Sequence, residues 1–323
     1  MCTYNGAAHV LAQLQSFANQ TRLPDELIVC DDRSSDETVS IVGEFATRAP
    51  FEVRLVVNPE NLGFIKNFEK CARLCTGDIV FLSDQDDVWR PEKLERFIAA
   101  FAANPAAGLF FCDADLVDGD LRPLGKTWWR SQRFGVGPQR RLESETGFQL
   151  MLKNPAWMAA GATLAFASRH AGPVFPIPAG WTHDAWISTM LAAITRVGLI
   201  RSPLNQYRQH ASQFFGASTD VTQLAQQGRA RAGSADHFLD TAQRYAALAT
   251  RLKQHALADA AVEALIERKI RHWRERARIR GVSRPTGAGI AFLELAKGNY
   301  QRFSQSWRSL AMDLVFVLGR RAR

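Results

Sequence analysis

Short apolar runs alternate with amphipathic helical stretches along the first part of the chain. The pattern predicts strands at 27–30, 51–57, 79–83 and 108–112, and helices at 38–48, 61–75 and 91–103. Strands separated by helices of roughly ten to fifteen residues are typical of a parallel sheet with helices on both faces. We therefore expect an α/β fold built on a mostly parallel, Rossmann-like twisted sheet.

The second part of the chain has a different pattern. Residues 119–155 have no clear period and predict loop and short helix, either a lid over a site or an irregular insert. A strand is predicted at 161–167 and a helix from 181 to about 193. Beyond 221 the pattern is helical and rich in Arg, with a break at 281–289 and a final apolar segment at 310–318. We expect a domain at 1–220 and a basic helical C-terminal extension at 221–323.

Polar clusters follow the predicted strands. Thr3-Tyr4-Asn5-Gly6 follows a first short strand, Asp31-Asp32 follows the second, and Asp84-Gln85-Asp86-Asp87 follows the run at 79–82. Ligands of open α/β sheets gather at the carboxyl ends of strands. We therefore expect these clusters to converge on one site.

The three carboxylates of 84–87 are costly to desolvate unless a cation or hydrogen-bond donors meet them. One interpretation is a solvated acidic turn before a helix that begins near Pro91. The other is a site for Mg²⁺ or Mn²⁺, which proteins hold with one or two carboxylates together with phosphate oxygens of a substrate. Such a metal would neutralise a departing diphosphate.

Three further positions each allow two interpretations. Asp31 and Asp32 precede Ser34, Ser35 and Asp36, so they serve either helix capping or recognition of a base or ribose. Asp184, between Trp181 and Trp186, is either a general base toward a sugar hydroxyl or an acid favoured by a helix N-terminus. His210 by itself is a surface histidine, unless the fold brings it to the acidic pair.

The distribution of charge and the cysteine content indicate which partners and which cellular compartment suit the protein. Residues 1–227 carry a net charge of −3 and residues 228–323 carry +11, so the excess of positive charge belongs to the C-terminal part. Such a segment favours an anionic partner, either nucleic acid or an acidic membrane surface. No apolar run is long enough to predict a transmembrane helix. The five cysteines lie mostly in apolar or helical contexts, which favours buried thiols in a reducing compartment.

Several motifs together resemble the family 2 glycosyltransferases of GT-A fold, over residues 1 to about 216. Those that carry the resemblance are Thr3-Tyr4-Asn5-Gly6, Asp31 to Asp36, Asn61-Leu62-Gly63 with Asn67, Ser83 to Trp89, His183-Asp184 and Tyr207 to His210. Ser-Asp-Gln-Asp-Asp-Val-Trp, with Gly298-Asn299-Tyr300, is most similar to bacterial rhamnosyltransferases of surface-polysaccharide biosynthesis. The resemblance implies an inverting, metal-dependent transferase.

It also implies residue roles. Thr3, Tyr4 and Asp32 would hold the nucleotide base of the donor, with Asn5 beside them. Asp84 would touch the ribose or sugar, and Asp184 would be the catalytic base. The metal, Mg²⁺ or Mn²⁺, would be bound by Asp86 and approached by His210. The rest of the donor pocket would be lined by Asn61, Gly63 and Asn67.

The implied donor is dTDP-rhamnose, with a UDP-hexose as the alternative, and the implied acceptor is a saccharide or lipid-linked saccharide. We expect a cytoplasmic enzyme, either free or peripheral on the inner face of the plasma membrane. Only Met1 and Cys2 precede Thr3, fewer apolar residues than the first strand of the family has, so an upstream in-frame segment rich in Val and Ile is expected.

The basic helix predicted around 263–280 has an apolar side formed by Leu265, Ile266, Ile270 and Trp273. It would either pack on the catalytic domain or lie on an anionic bilayer. Two other classes of function remain open. One is a nucleic-acid-binding protein, although no nucleic-acid motif accompanies the Arg run. The other is a sugar-nucleotide binder without turnover.

Overall fold

The computed structural model describes residues 1–144, 147–153, 160–210 and 234–319. They form two compact units. The first unit takes the described residues of 1–145, 156–177 and 182–219, and the second takes those of 146–155, 178–181 and 220–323. The division at 220 expected from the sequence stays a prediction, since the second unit also includes two short segments from earlier in the chain.

The first unit begins with a three-stranded parallel sheet, as the alternation of strands and helices predicts. Its order is β1 (Cys2–Thr3), β2 (Glu26–Asp31) and β3 (Glu52–Val57). The connecting helices are α1 (Val10–Ala18) and α2 (Thr38–Ala46), and α3 (Phe64–Leu74) follows β3. Buried Val10, Leu14, Phe17 and Val29 form a core between these layers, because each helix turns its apolar face toward the sheet.

A second sheet of the first unit mixes parallel and antiparallel pairs. Its order is β4 (Ile79–Phe81), β8 (Leu164–Ala167), β6 (Ala107–Val117), β9 (Arg196–Arg208) and β5 (Val88–Trp89), with β7 (Pro123–Thr127) against β6. The long pair β6 and β9 is parallel, whereas the other pairs are antiparallel. The backbone N–H of Cys2 donates to the carbonyl of Ser83 at 3.2 Å, so the acidic loop begins beside β1.

Helices of the first unit complete its layers. They are α4 (Lys93–Ala103), α5 (Trp128–Ser131), α6 (Val136–Leu142), α8 (Ala171–Val174) and α9 (His183–Ile194). Phe97 and Phe101 of α4 pack with Phe110 of β6 in a second core cluster. The predicted irregular stretch 119–155 therefore contains β7 and short helices, with residues 145–146 and 154–159 outside the described part.

Strand β9 was not predicted from the sequence, although it occupies the middle of the second sheet. Arg196, Arg201 and Pro203 interrupt its alternation, while Val197, Leu199 and Leu204 are buried. The register against β6 shifts by one residue where Asp113 and Ala114 pair with Pro203 and Asn205. Such an irregularity makes a strand hard to recognise from the alternation of apolar and polar residues, because one extra residue reverses which positions face the core.

The second unit is helical in its described part. Its helices are α7 (Gly147–Lys153), α10 (Ala235–Gln254), α11 (Ala260–Ile279), α12 (Arg284–Ala296), α13 (Asn299–Phe303) and α14 (Trp307–Gly319). The break predicted at 281–289 is wrong in its extent, since α12 begins at Arg284. A proline in the first turn of a helix is favourable, and Pro285 occupies that place.

The apolar side predicted for the basic helix is also wrong in part. Helix α11 turns Lys269, His272 and Arg276 inward together with Ile266 and Ile270. Arg276 Nε and Arg280 Nη1 lie 2.8 and 2.6 Å from the Asp313 carboxylate, which is fully buried and also accepts the Tyr300 hydroxyl at 2.6 Å. Buried charges need such partners, so the Arg pattern here belongs partly to a core.

Within the described residues, no helix is both long enough and apolar enough to cross a bilayer.

Candidate active site

The acidic loop 84–87 follows β4 directly. Burial, followed by the charges of Asp86 and Asp184, raises the pKa of Asp84 from 3.8 to about 7. Asp184 is 100 residues away in the chain, so its influence places it close to the acidic loop. The same carboxylates raise the pKa of buried Tyr207, although burial is the larger cause. The fold therefore gathers an acidic cluster around Tyr207.

His210 reaches this cluster. Its Nε2 lies 2.9 Å from Oδ2 of Asp86, and each side chain keeps about 15% of its surface exposed. Arg208, just before it at the end of β9, donates its backbone N–H to Asp87 Oδ1 at 3.1 Å and its Nε to the Asp86 carbonyl at 2.6 Å. The end of β9 is thus attached to the acidic loop, which explains how residues 124 positions apart meet.

Asp87 has a different environment from its neighbours. It is fully buried and accepts the Asn205 side-chain amide at 3.3 Å. Asn205 in turn accepts the ammonium of fully buried Lys93 at 2.5 Å. Burial, followed by the charges of Asp86 and Asp84, raises the pKa of Asp87 well above its usual value. This third carboxylate therefore positions the loop and the end of β9.

Asp184 lies in the first turn of α9, where the helix dipole favours a carboxylate. Its Oδ1 accepts the Thr182 hydroxyl at 2.5 Å and the Ala185 backbone N–H at 2.7 Å. Among the described residues, no hydrogen bond reaches its Oδ2. One oxygen is therefore fixed by the helix terminus, while the other can still accept a proton.

His183 supports this turn from within the protein. Its ring stacks on Phe68 with centroids 3.9 Å apart and an angle of 7°, and it is buried. Neither ring nitrogen has a hydrogen-bond partner in the part of the chain that the structure describes. A Cβ on Gly161 would lie 2.6 Å from His183 Nε2, so this approach requires glycine. Burial lowers the pKa of His183 and keeps its ring neutral.

Two of the residues expected to hold the nucleotide, Thr3 and Asp32, also make hydrogen bonds within the protein. Thr3 donates to Asp31 at 2.7 Å, and Asp31 also accepts the Ser34 backbone and hydroxyl. Asp32 is buried, and its carboxylate accepts the Asn58 amide and the backbone N–H groups of Leu62 and Gly63, each at 2.8 Å. These contacts shape the 58–63 loop, including Gly63, whose φ of 75° favours glycine.

Asn61 and Asn67 belong to the same loop and the helix that follows it. The Asn61 amide donates to the Asp32 carbonyl at 3.1 Å. Asn67 is buried, donates to the Cys30 carbonyl at 2.8 Å and accepts from Asn58 at 2.9 Å. Both side chains therefore hold the ends of β2 and β3 together.

Tyr4 is 52% exposed, and both of its backbone polar groups are hydrogen-bonded to the Gln85 side chain. Gln85 Oε1 accepts the Tyr4 N–H at 2.8 Å and Nε2 donates to the Tyr4 carbonyl at 3.0 Å. Asn5, at φ 48°, accepts the Ser35 N–H at 2.8 Å. The Thr3-Tyr4-Asn5-Gly6 loop is therefore fixed to the acidic loop on one side and to residues 34–38 on the other.

Sequence reasoning missed two features of this site. His9, at the start of α1, lies with its ring 4.8 Å from that of His210, and burial followed by the Arg208 charge lowers its pKa. Trp128 packs edge-on against Tyr207 at 5.5 Å. The next residue, Trp129, lines a pocket of about 350 Å³. The only feature of the sequence that could have indicated a place for His9 in the site is its position three residues after Gly6.

The residues at Asp86 and His210 fit a divalent cation carried by a diphosphate. Within the described residues, no group of three or more His, Cys, Asp or Glu side chains forms a complete metal site. An Mg²⁺ or Mn²⁺ ion bound to phosphates needs only one or two protein ligands. The close carboxylate and imidazole supply such a pair, and Asp84 places a further carboxylate in the same loop.

Comparisons with known proteins place the chain beside glycosyltransferases. Residues 1–151 match the family model described as glycosyl transferase family 2. An uncharacterized glycosyltransferase of Nostoc sp. is 25% identical over 234 residues, which is 71% of this chain and 69% of that protein. The dTDP-rhamnosyl transferase RfbG of Shigella flexneri is 31% identical over 110 residues, 33% of this chain and 38% of that protein.

Solved structures confirm the fold. The mannosyltransferase PcManGT of Pyrobaculum calidifontis, in complex with GDP-Man and Mn²⁺, has a TM-score of 0.53 at 17% identity, covering 98% of this chain and 83% of that one. TarS 1-349 of S. aureus, in complex with UDP-GlcNAc, has a TM-score of 0.57 at 16% identity, covering 100% and 91%. The chain has the GT-A fold, and the relatives support a glycosyltransferase of family 2 type.

Proposed function

We propose that this protein is a family 2 glycosyltransferase that moves a sugar from a nucleoside diphosphate donor to an acceptor hydroxyl with inversion. The observation that carries the proposal is the 2.9 Å contact between Asp86 and His210, together with the electrostatic influence of Asp184 on Asp84. A carboxylate and imidazole pair beside a separate carboxylate supplies both leaving-group stabilisation and a base.

Asp86 and His210 would hold Mg²⁺ or Mn²⁺ at the donor diphosphate. Such a metal, when bound, neutralises negative charge on the leaving diphosphate. The chain itself keeps these two residues in place, because Arg208 binds both the Asp86 carbonyl and the Asp87 carboxylate. Asp84 would lie toward the ribose or sugar of the donor.

Asp184 is the proposed general base. Its Oδ1 is fixed by Thr182 and Ala185, and Oδ2 takes the proton of the acceptor hydroxyl. The acceptor oxygen then forms a bond to the anomeric carbon as the bond to the diphosphate oxygen breaks. A single displacement from the opposite face inverts the anomeric configuration.

The donor nucleotide would bind at the Thr3-Tyr4-Asn5-Gly6 loop. Tyr4 offers an exposed ring, while the side chains of Thr3 and Asp32 shape the loops around it. We propose dTDP-rhamnose as the donor, supported by the similarity to the dTDP-rhamnosyl transferase of Shigella flexneri and by the motif at 83–89. A UDP-hexose is the alternative, because TarS binds UDP-GlcNAc with the same fold.

The acceptor would be a saccharide, free or lipid-linked, in cell-surface polysaccharide biosynthesis. The pocket of about 350 Å³ is lined by Trp129, Phe134, Arg130 and Arg133, with Asp113 among its lining residues. Aromatic faces and a carboxylate suit sugar rings and hydroxyls, and the two guanidinium groups suit an anionic group on the acceptor. Trp128, the residue before Trp129, packs on Tyr207.

The decisive experiment is a donor screen with Mg²⁺ and Mn²⁺, scored by released nucleoside diphosphate. We expect turnover with dTDP-rhamnose to exceed that with UDP-hexoses and to cease with EDTA. Asp184→Asn should lose about 10²- to 10⁴-fold in kcat while retaining donor binding, because only the base is removed. Asp25→Asn, whose side chain is 82% exposed, is the matched control.

Two results would refute the proposal. Unchanged turnover in Asp184→Asn would remove the base from the mechanism. Donor binding without release of diphosphate, with any sugar nucleotide and either metal, would favour a non-catalytic binder. A steep salt dependence of duplex DNA binding would instead favour the nucleic-acid alternative.

A further inference from the structure

Helix α14 presents both polar and apolar side chains to the interior of its unit. Its buried positions are Ser309, Asp313 and Val317, spaced by four residues and therefore on one face. The Asp313 carboxylate forms ion pairs with Arg276 and Arg280 and accepts a hydrogen bond from Tyr300 inside the unit. The inward face of this helix is therefore held both by these polar contacts and by the packing of Val317 against Ile279 and Ala291.

The outward face is apolar. Trp307 and Val315 are each 70% exposed, Leu318 is 73% exposed and Met312 is 46% exposed. Val315 and Leu318 are three residues apart, so their side chains lie on adjacent turns of one side. Isolated exposed apolar residues are ordinary, but four large ones on one short helix form a patch of the kind that marks an interaction surface.

The charges around this patch have a single sign. Residues 284–323 contain seven Lys and Arg residues and two acids, Glu294 and Asp313. Both acids are buried, at 2% and 0% exposure, whereas Arg302 and Arg308 are exposed beside the helix. Every exposed ionised side chain that the structure describes in 284–319 is therefore cationic. Arg320, Arg321 and Arg323 follow α14 in the sequence.

We propose that the outward face of α14 binds the surface of an anionic lipid bilayer, with Trp307, Val315 and Leu318 entering the headgroup region. A 13-residue helix is about 20 Å long, too short for a hydrocarbon core of roughly 30 Å, so it would lie in the interface. Trp is favoured at that depth, and cations flanking an apolar face strengthen binding to acidic lipids.

The charge argues against a second copy of the chain as the occupant, because pairing two such faces would bring like charges together. Helix α11 differs from this surface, because its Lys269 and Arg276 are buried inside the unit. The proposal does not depend on glycosyl transfer, although it would bring the enzyme to a lipid-linked acceptor.

The test is flotation of the full chain with vesicles of phosphatidylglycerol and phosphatidylcholine, compared with phosphatidylcholine alone. We expect flotation with the anionic vesicles only, weakened by salt. The double variant Val315→Glu with Leu318→Glu should lower binding by at least about tenfold, because both apolar contacts are lost and negative charge is added. Val136→Glu, at a position 62% exposed in the first unit, is the matched control and should float like the parent.

The variants must first show the far-ultraviolet circular dichroism of the parent, which the high exposure of both positions favours. Equal flotation of the double variant and the parent would overturn the proposal, as would absence of flotation with anionic vesicles. A change in oligomeric state of the double variant, without a change in flotation, would assign the patch to a second copy instead. Diphosphate release without lipid, measured in parallel, separates this outcome from failure of the catalytic proposal.

Discussion

The two units each contain buried carboxylates, but they compensate them differently. In the second unit, Asp313 is enclosed by two guanidinium groups and a tyrosine hydroxyl, all within 2.8 Å. In the first unit, Asp84 and Asp87 lie near other carboxylates, and burial together with those like charges raises the pKa of both. The first arrangement is internally balanced, whereas the second places carboxylates beside one another, and we propose that a cation compensates them. Charge balance, more than burial, distinguishes the structural carboxylate from the proposed catalytic cluster.

Removal of the balanced carboxylate should have the largest effect. Asp313→Ala would leave Arg276 and Arg280 buried without their acid, and we expect a loss of about 3–5 kcal/mol in the free energy of unfolding. Urea unfolding followed by circular dichroism measures it. Asp240→Ala, an exposed acid on α10, is the control and should change stability by less than about 0.5 kcal/mol. Equal free energies of unfolding for the two variants would show that the buried network around Asp313 does not stabilise the protein.

The glycine beneath His183 comes next. Gly161→Ala would place a methyl group 2.6 Å from His183 Nε2, and the ring cannot retreat because it stacks on Phe68. We expect a loss of about 1–3 kcal/mol in stability and a lower rate of transfer, since His183 adjoins the proposed base. Gly172→Ala is the control, because its new methyl group would meet no atom within 4 Å among the described residues. The same stability and rate in both variants would contradict this packing argument.

Asp84 should make the metal-free protein sensitive to pH. Its pKa is raised from 3.8 to about 7, so between these values the folded state holds a proton that the unfolded state has released. Stability therefore falls as pH rises from about 4 to about 7. Asp84→Asn should reduce this slope, because Asp87 still contributes one of the same sign, and should be more stable than the parent at pH 8 by about 1–2 kcal/mol, allowing for partial screening by water.

Thermal unfolding in EDTA, at a series of pH values from 5 to 8, tests this expectation. Asp25→Asn is the matched control, since its side chain is 82% exposed and should leave the slope unchanged. A parent slope of the opposite sign, or one that Asp84→Asn does not alter, would show that the acidic cluster is compensated without a cation.

How much of the site can be predicted from the sequence depends on how far apart in the chain the contacting residues lie. Strand ends are local, so the places of Asp32, Asp84 and Asp86 could be predicted from period and turn signals. His210 and Asp86 are 124 residues apart, and only the family resemblance joined them. The irregular register of β9 concealed the strand that makes the connection. Arg276 is likewise indistinguishable from a surface cation until Asp313, 37 residues later, is placed beside it.

The contact between the two loops at the nucleotide end should have the smallest effect. Gln85→Ala removes two hydrogen bonds to the Tyr4 backbone, at 2.8 and 3.0 Å, in an exposed setting where each contributes about 1 kcal/mol or less. Because the bonds position Tyr4 and take no part in bond breaking, we expect the donor KM to rise by up to about fivefold with kcat unchanged. Steady-state kinetics with varied donor measure both constants. Gln132→Ala, which removes a bond to the neighbouring Ser131 only, should leave both unchanged. A fall in kcat at constant KM would mean instead that Gln85 acts on catalysis by positioning the acidic loop. The Tyr4 loop would then influence the carboxylates around Asp84.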